Sequence, residues 1–309
     1  MRHSTKLWLI AVALMAAAGW ATTAHGGTLR LASRAAQSRS WISPAAFAQA
    51  KSSGLLFVSD QNNHVVDIYD LKKPTLPIGQ IQGPLSLPGS LAVDKSANLF
   101  VYDGRPNQVL EFKPPYTGRP LKKFFGMFGP VTELTVDASG TLYAAAQYYQ
   151  VFKFPHGRTN GKGVNLPVSP QGVTLDSHGN LICTYNNAGA AGVLKLTNAS
   201  PLPTNLLIPL EQSSADVLFD ASGNLVVEDL GAAYINIYAP ESTKPSKTID
   251  DGFVDPVHMA FDARKHLLVV ADYGNNTVKG INYPSGTMRW QLTGFAFVWG
   301  VAVSPAAVP

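Results

Sequence analysis

Short stretches of alternating apolar and polar residues recur along residues 51–309, and each ends in a small or polar turn. The clearest five are residues 91–99 (LAVDKSANL), 134–142 (LTVDASGTL), 173–181 (VTLDSHGNL), 217–225 (VLFDASGNL) and 259–267 (MAFDARKHL). Apolar and polar residues that alternate with a period of two, up to an Asp and a Gly-rich or Asn-rich turn, are typical of β-hairpins. The pattern therefore predicts β-strands through most of this part of the chain.

An aspartate occupies the same place in each of these hairpins. The five anchor aspartates are 39 to 44 residues apart, and they are Asp94, Asp137, Asp176, Asp220 and Asp262. A second strand follows each of them, then a third strand and a Pro-rich link to a fourth. A period near 40 residues with four short strands per unit predicts the blades of a β-propeller.

The two ends of the repeat region complement each other. Six second strands can be counted, but the first one, near Leu55, has no innermost strand before it. Residues 300–304 at the other end have the pattern of an innermost strand, but no second, third and fourth strands follow them. We therefore predict an all-β, six-bladed β-propeller of four-stranded blades, in which the C-terminal strand completes the first blade and no sheet edge stays open.

The repeat resembles a known family. The run from hydrophobic-x-V-D through G-N-L to N-N-x-V, as in residues 91–103, 217–229 and 267–278, is similar to the NHL repeat. The resemblance covers about residues 51–309, and it extends to uncharacterised secreted bacterial NHL-repeat proteins with a Ser-Trp segment like Ser40-Trp41 before the first blade. NHL propellers are also similar in outline to gluconolactonases and lactonases, and this resemblance implies a divalent metal ion in the central channel.

The first fifty residues differ from the rest in composition. Residues 1–26 have a basic start, an apolar run and small residues after it, and this pattern predicts a cleaved signal peptide. Residues 27–50 read as a flexible leader, and residues 51–309 as the propeller. We expect a monomer in the periplasm or outside the cell, with no membrane contact after cleavage.

Charge excludes one class of partner. Five Lys and Arg but no acidic residues lie in residues 1–50, and their removal leaves 19 basic against 20 acidic residues from the full chain. A nearly neutral body lacks the clustered cations that bind phosphate backbones, so we expect no nucleic acid. Strings typical of nucleophilic hydrolases, zinc proteases and phosphate-binding loops are absent from the sequence.

Candidate ligand-binding residues lie four positions before each anchor, where the side chain should point to the mouth of the channel. These positions hold Ser90, Glu133, Gly172, Asp216, His258 and Gly300. Glu133, Asp216 and His258 could converge and bind a divalent metal ion, or they could be solvated groups around a water-filled channel. We add Ser90, and His64 from a turn on the same face, as ligand-binding candidates.

Two functions follow from these residues. The first is a noncatalytic propeller that binds a small molecule, glycan or protein at the channel mouth and needs no cofactor. The second is a metal-dependent hydrolase or lactonase that uses Glu133, Asp216 and His258. No catalytic residue can be assigned for the first, and the second departs from the lactonase pattern because Asn is absent from the six mouth positions.

Two further residue sets have a structural and a functional interpretation. Aspartates at the ends of second strands, Asp60, Asp103, Asp229 and Asp272, and the nearby Asn63, Asn107 and Asn276, suit tight turns better than a ring of ligand acceptors. Aromatic side chains in the same-face loops suit packing between blades, but some could stack on a sugar or peptide. They are Phe124, Phe125, Phe128, Tyr148, Tyr149, Tyr234, Tyr273, Phe295, Phe297 and Trp299.

Overall fold

The computed structural model of the protein describes residues 40–187, 190–197, 202–211 and 213–305. The predicted signal peptide and the first part of the leader lie outside these residues. Within them, six antiparallel sheets form a ring, so the predicted six-bladed β-propeller is confirmed. No helix in the described part of the chain is both long and apolar enough to span a membrane.

The first three blades follow each other around the ring. From its outer edge to the axis, the first blade consists of β1 (Trp41–Ile42), β4 (Gly79–Ile81), β3 (Val65–Asp70), β2 (Leu55–Asp60) and β25 (Val298–Ser304). From the axis outward, the second blade consists of β5 (Pro88–Val93), β6 (Leu99–Asp103), β7 (Gln108–Phe112) and β8 (Lys122–Phe124). The third consists of β9 (Val131–Val136), β10 (Leu142–Ala146), β11 (Gln150–Phe154) and β12 (Lys162–Asn165).

The other three blades repeat this order from the axis outward. The fourth consists of β13 (Ser169–Leu175), β14 (Leu181–Asn187), β15 (Ala190–Leu196) and β16 (Thr204–Asn205). The fifth consists of β17 (Val217–Phe219), β18 (Leu225–Asp229), β19 (Tyr234–Tyr238) and β20 (Pro245–Ile249). The sixth consists of β21 (Pro256–Phe261), β22 (Leu267–Asp272), β23 (Thr277–Asn282) and β24 (Thr287–Leu292).

Strand β25 closes the ring as predicted. It pairs antiparallel with β2 from Leu55 opposite Ser304 to Asp60 opposite Val298. Its buried Val301 and Val303 join a cluster of apolar side chains that spans the first and sixth blades. Strands β2 and β25 are therefore held together by one sheet, and the first and sixth blades by one apolar core.

Residues 40–50 of the expected leader form ordered structure. Strand β1 adds a fifth strand to the outer edge of the first blade by pairing with β4. Helix α1 (Pro44–Ser53) follows, with Ser43 as its N-cap and Pro44 in its first turn. The buried Ile42 and Ala50 belong to the core between the first two blades, and burial of this apolar surface orders the segment.

The anchor aspartates build the turns between first and second strands, as expected. Asp94 shows the pattern, because its Oδ1 accepts the backbone N–H groups of Ser96 at 2.8 Å and Asn98 at 2.8 Å. Asp137, Asp176 and Asp220 accept N–H groups from the same two relative positions. The repeated aspartate is thus explained by turn geometry alone.

Loss of strand β25 should open the ring. We expect truncation after Phe297 to abolish cooperative unfolding and to cause self-association, because β2 then becomes an exposed sheet edge. Thermal unfolding by circular dichroism and size-exclusion chromatography measure both effects. Truncation after Pro305 is the control, since it retains every pair between β2 and β25; equal stability of the two truncated proteins would contradict the role of β25 in closure.

The single cysteine should be unreactive in the native protein. Cys183 in β14 has no exposed surface, and burial raises the pKa of its thiol to about 12. Because the thiolate is the reactive form, we expect no reaction with a disulfide reagent at about pH 8 until the protein is unfolded in guanidinium. Absorbance of the released thiol measures the labelling, and rapid labelling of native protein would contradict the burial.

Candidate functional site

An irregularity in pairing is repeated at the mouth end of the innermost strands. The register between an innermost strand and its neighbour shifts by one extra residue between Pro88 and Leu91 in β5, and a shift occurs at the corresponding place in β9, β13, β21 and β25. Such a β-bulge redirects side chains and bends the strand. Each bulge lies the same number of residues before its anchor position. The predicted mouth residues of these blades lie within or directly beside the bulges, and they therefore point to the axis.

Glu133 and His258 meet across the axis of the ring. His258 Nδ1 lies 2.9 Å from Glu133 Oε2, although the two residues belong to the third and sixth blades, which are opposite each other. The second ring nitrogen, Nε2, lies 3.2 Å from the carbonyl oxygen of Thr132. Both sides of the imidazole are therefore occupied by oxygen atoms of the third blade.

Burial and charge have opposite effects on this histidine. Its side chain is 1 % exposed, and burial lowers the pKa of the imidazole. The carboxylates of Glu133 and Asp216 raise the pKa, and their effect prevails, so the pKa of His258 is above its ordinary value. The two carboxylates thus favour the protonated, positively charged form of the His258 imidazole.

Asp216 joins the fifth and sixth blades beside this pair. Its Oδ1 accepts the N–H of Val217 at 2.6 Å, and its Oδ2 accepts the N–H of Met259 at 2.9 Å. Burial, and then the charge of Glu133, raise the pKa of Asp216 well above its ordinary value. One ligand atom each of Glu133, Asp216 and His258 lie within 4.8 Å of one another, so the predicted convergence is observed.

Ser90 completes the group from the second blade. Its hydroxyl lies 3.0 Å from Glu133 Oε1, to which it donates, and it accepts the N–H of Leu134 at 2.8 Å. The hydroxyl therefore orients the carboxylate of Glu133 and links the second blade to the third. We call Ser90, Glu133, Asp216 and His258 the axial cluster.

The cluster is buried, whereas one of the two interpretations of the sequence placed these side chains around an open, water-filled channel. Glu133 is 5 % exposed and Asp216 is 2 % exposed. Below it lies a central cavity of about 70 Å³, lined by Glu133, Asp216 and apolar residues of the innermost strands. Liquid water occupies about 30 Å³ per molecule, so the cavity has room for roughly two waters.

His64 does not join the axial cluster. It is exposed in the turn between β2 and β3, and its φ of 57° is in the left-handed region. The corresponding positions of the second and sixth blades hold Asn107 and Asn276, with φ of 49° and 50°. His64 thus occupies the turn position that Asn fills elsewhere, whereas Asn63 donates from its side chain to Asp60.

Glu228 is a member of the site that the sequence interpretation missed. It is fully buried in β18, and its Oε2 accepts the N–H of Asp216 at 3.0 Å. Its Oε1 is buried without a hydrogen-bond partner among the described residues. Burial, and then the charge of Asp216, raise the pKa of Glu228 well above its ordinary value.

A repeated position could have revealed Glu228. The position of the second strand beside the mouth residue holds Ser59 in the first blade and Thr184 in the fourth. Their hydroxyls accept the N–H groups of Gly300 at 2.7 Å and Gly172 at 2.8 Å. Glu228 makes the equivalent contact with Asp216. The other blades hold uncharged residues at this position, namely Ser59, Tyr102, Ala145, Thr184 and Ala271, so a glutamate there is the signal in the sequence.

Gly172 and Gly300 show how closely neighbouring blades approach each other here. A Cβ atom at Gly172 would stand 2.5 Å from the carbonyl oxygen of Ala215, and one at Gly300 would stand 2.5 Å from that of Gly89. Side chains are thus sterically excluded from two of the six mouth positions. The axial cluster comes from the other four.

The aspartates at the ends of the second strands hold loops as well as turns. Asp103 Oδ1 accepts the N–H groups of Ser86 at 3.0 Å and Leu87 at 2.7 Å, in the loop that leads into β5. Asp60, Asp229 and Asp272 bind the loops before β25, β17 and β21 in the same way. They fix the loops of the mouth face, which supports their structural interpretation.

The aromatic side chains divide into packed and exposed groups. Tyr273, Phe297 and Trp299 pack together, with ring centroids of Tyr273 and Phe297 4.7 Å apart. Phe124 is buried in the core. Large exposed fractions occur at Phe125 (50 %), Phe128 (68 %), Tyr148 (64 %) and Tyr149 (49 %).

Comparison with known proteins shows the fold. No family model and no curated protein matches the sequence. A chain from the crystal structure of a nidogen/laminin complex is 15 % identical, with a TM-score of 0.69, over 83 % of this chain and all of that one. A protein of unknown function from Bacteroides caccae is 12 % identical, with a TM-score of 0.64, over 81 % of this chain and 98 % of that one.

An enzyme is also among the similar structures. Streptogramin B lyase is 15 % identical, with a TM-score of 0.52, over 67 % of this chain and 68 % of that one. At these identities the similarity shows the propeller alone, and function must be argued from the residues.

The pair across the axis should be strongly coupled. We expect His258→Ala to lower the free energy of unfolding by about 3–5 kcal/mol, because it leaves buried carboxylates without their cation. Adding Glu133→Gln should recover part of this loss. Urea unfolding of both single variants and the double variant, in the presence of a chelator, measures the coupling; strictly additive losses would contradict the contact.

Proposed function

We propose that this protein is a noncatalytic binding propeller of the NHL type, which acts in the periplasm or outside the cell. Its ligand is a glycan or a peptide, bound on the mouth face by exposed aromatic side chains of the third blade. The observation that carries the proposal is the exposure of Phe128, Tyr148 and Tyr149 in two adjacent loops of that blade. We call these three residues the aromatic patch.

The two loops of the patch lie side by side. Phe128 precedes β9, Tyr148 and Tyr149 form the turn between β10 and β11, and Gln147 donates its N–H to the carbonyl oxygen of Pro130 at 3.0 Å. Both loops stand at the mouth end of the blade. Binding residues are often found in loops that a rigid scaffold holds in position. The two loops of the third blade are loops of this kind.

Exposed rings of the patch are nevertheless supported by the scaffold. Phe128 lies against Phe152 with ring centroids 6.3 Å apart. Tyr148 covers Gly129, where a Cβ atom would stand 2.6 Å from the ring. Rings held in place lose little conformational entropy on binding, so they suit stacking on a sugar or contact with a peptide.

The closed axis favours binding over catalysis. The central cavity of about 70 Å³ is much smaller than the roughly 300–1,000 Å³ of ordinary ligand pockets. A lactonase-like reaction at Glu133, Asp216 and His258 would require a substrate to reach residues that are at most 5 % exposed. We therefore place the ligand on the aromatic patch and not at the axis.

Replacement of the patch should weaken binding. We expect Phe128→Ala and Tyr148→Ala each to reduce affinity about ten-fold or more for the best ligand found on glycan and peptide arrays, because each removes a large contact surface. Calorimetry with the purified protein measures the affinities. Leu76→Ala is the matched control, since Leu76 is 69 % exposed on the first blade.

Two results would overturn the proposal. The first is unchanged affinity in both aromatic variants. The second is metal-dependent hydrolysis of lactones or esters by the wild-type protein, which would support the hydrolase instead. Cell fractionation tests the proposed location separately.

A further inference from the structure

We propose that Glu133, Asp216 and His258 bind a divalent first-row metal ion, such as Mn²⁺ or Zn²⁺, as a structural brace on the axis of the ring. This site is independent of the aromatic patch. The ion would join the third, fifth and sixth blades, since each of the three ligands comes from a different blade.

The spacing of the ligand atoms suits such an ion. Metal–nitrogen and metal–oxygen bonds of about 2.0–2.2 Å place neighbouring ligand atoms roughly 3 Å apart or slightly more. His258 Nδ1 and Glu133 Oε2 are 2.9 Å apart, and all three ligand atoms lie within 4.8 Å of one another. His258 and Glu133 already have the required spacing, and Asp216 would have to move closer to them when the ion binds.

The hydrogen bonds around the ligands are those of a metal site. His258 Nε2 stands 3.2 Å from the carbonyl oxygen of Thr132, and an N–H there directs the lone pair of Nδ1 toward Glu133. The Ser90 hydroxyl holds the other oxygen of Glu133, and two backbone N–H groups hold Asp216. A ligating histidine bonded through its other nitrogen to a carbonyl, with oriented carboxylates, is the usual outer arrangement.

Charge balance is an independent argument for a cation. Three buried carboxyl groups, Glu133, Asp216 and Glu228, share this region, and no Lys or Arg forms an ion pair with any of them among the described residues. His258 is the one side chain of the described residues that forms an ion pair within this group, and a single positive charge does not balance three buried carboxylates. A divalent ion compensates two carboxylates and leaves the imidazole neutral, as a ligand must be.

Glu228 provides the second observation that points to a ligand. Its Oε1 is fully buried and has no hydrogen-bond partner among the described residues, while its Oε2 is fixed on Asp216. An acceptor of this kind suits a water molecule bound to the ion. The cavity beside Glu133 and Asp216 has room for such waters, which would complete the coordination.

The ligand types select the class of metal. Imidazole together with carboxylates suits Zn²⁺ and similar transition ions, whereas Ca²⁺ and Mg²⁺ prefer sites made of oxygen alone. The cavity of about 70 Å³ suits water molecules as the remaining ligands, so we assign the ion a role in holding the blades together.

The test is a titration of the purified protein, stripped with a chelator, with MnCl₂, ZnCl₂ and CaCl₂ in separate calorimetry experiments. We expect one Mn²⁺ or Zn²⁺ per chain and binding of Ca²⁺ at least about ten-fold weaker. At roughly 100 times the dissociation constant, Mn²⁺ or Zn²⁺ should raise Tm by roughly 5 °C or more.

Variants locate the ion. We expect Glu133→Gln to abolish binding and Ser90→Ala to weaken it about 10- to 100-fold, because Ser90 acts only through Glu133. Glu111→Gln should bind as the wild type does; Glu111 is also a buried glutamate, but it pairs with Lys122 in the second blade. Circular dichroism confirms that each variant is folded.

Three results would overturn the proposal. One is wild-type protein that binds neither Mn²⁺ nor Zn²⁺ more tightly than about 1 mM. Another is undiminished binding by folded Glu133→Gln, as expected for zinc on exposed histidines. The third is Ca²⁺ bound as tightly as Mn²⁺ and Zn²⁺. Phe128→Ala and Tyr148→Ala should leave metal binding unchanged, so failure of the aromatic patch as a binding site would not affect this result.

Discussion

Six innermost strands approach one axis. Where each of these strands bends away from its neighbour in the sheet, its backbone N–H and C=O groups need other hydrogen-bond partners. The β-bulges at the mouth end release N–H groups from regular pairing. Side chains then bond these groups: Ser59 and Thr184 within a blade, Ser90 and Asp216 between blades. Because an unpaired buried N–H is costly, the ring depends on these polar side chains as much as on its apolar cores.

This requirement also determines what the axis can do. Glu133 and His258 fill the space between opposite blades, and the cavity below them is small. An open channel would have offered a site for a substrate, whereas a closed one offers a place for a cation and a few waters. Among the loops at the mouth face, those of the third blade expose the most aromatic surface in the described part of the chain.

Much of the fold could be predicted from the sequence because the same short motif recurs along it. The anchor aspartates make the same turn in each unit, and their spacing defines the blades and the place of β25. The convergence of Glu133, Asp216 and His258 followed from counting back four residues from each anchor. The burial of the site could not be predicted, since it depends on bulges and on the approach of Gly172 and Gly300 to neighbouring backbones. Glu228 was missed because the predicted mouth residues all lie on or next to innermost strands, whereas Glu228 lies on β18, the second strand of its blade.

The closure of the first blade by β25 sets an order of events during synthesis. Strand β2 is among the first parts of the propeller to leave the ribosome, and its partner β25 is the last. Until then an inner edge of the first blade and a face of the sixth stay exposed, and contacts this distant in sequence form slowly. The nascent chain therefore remains an open arc until β25 has been made, and only then can it become a closed ring.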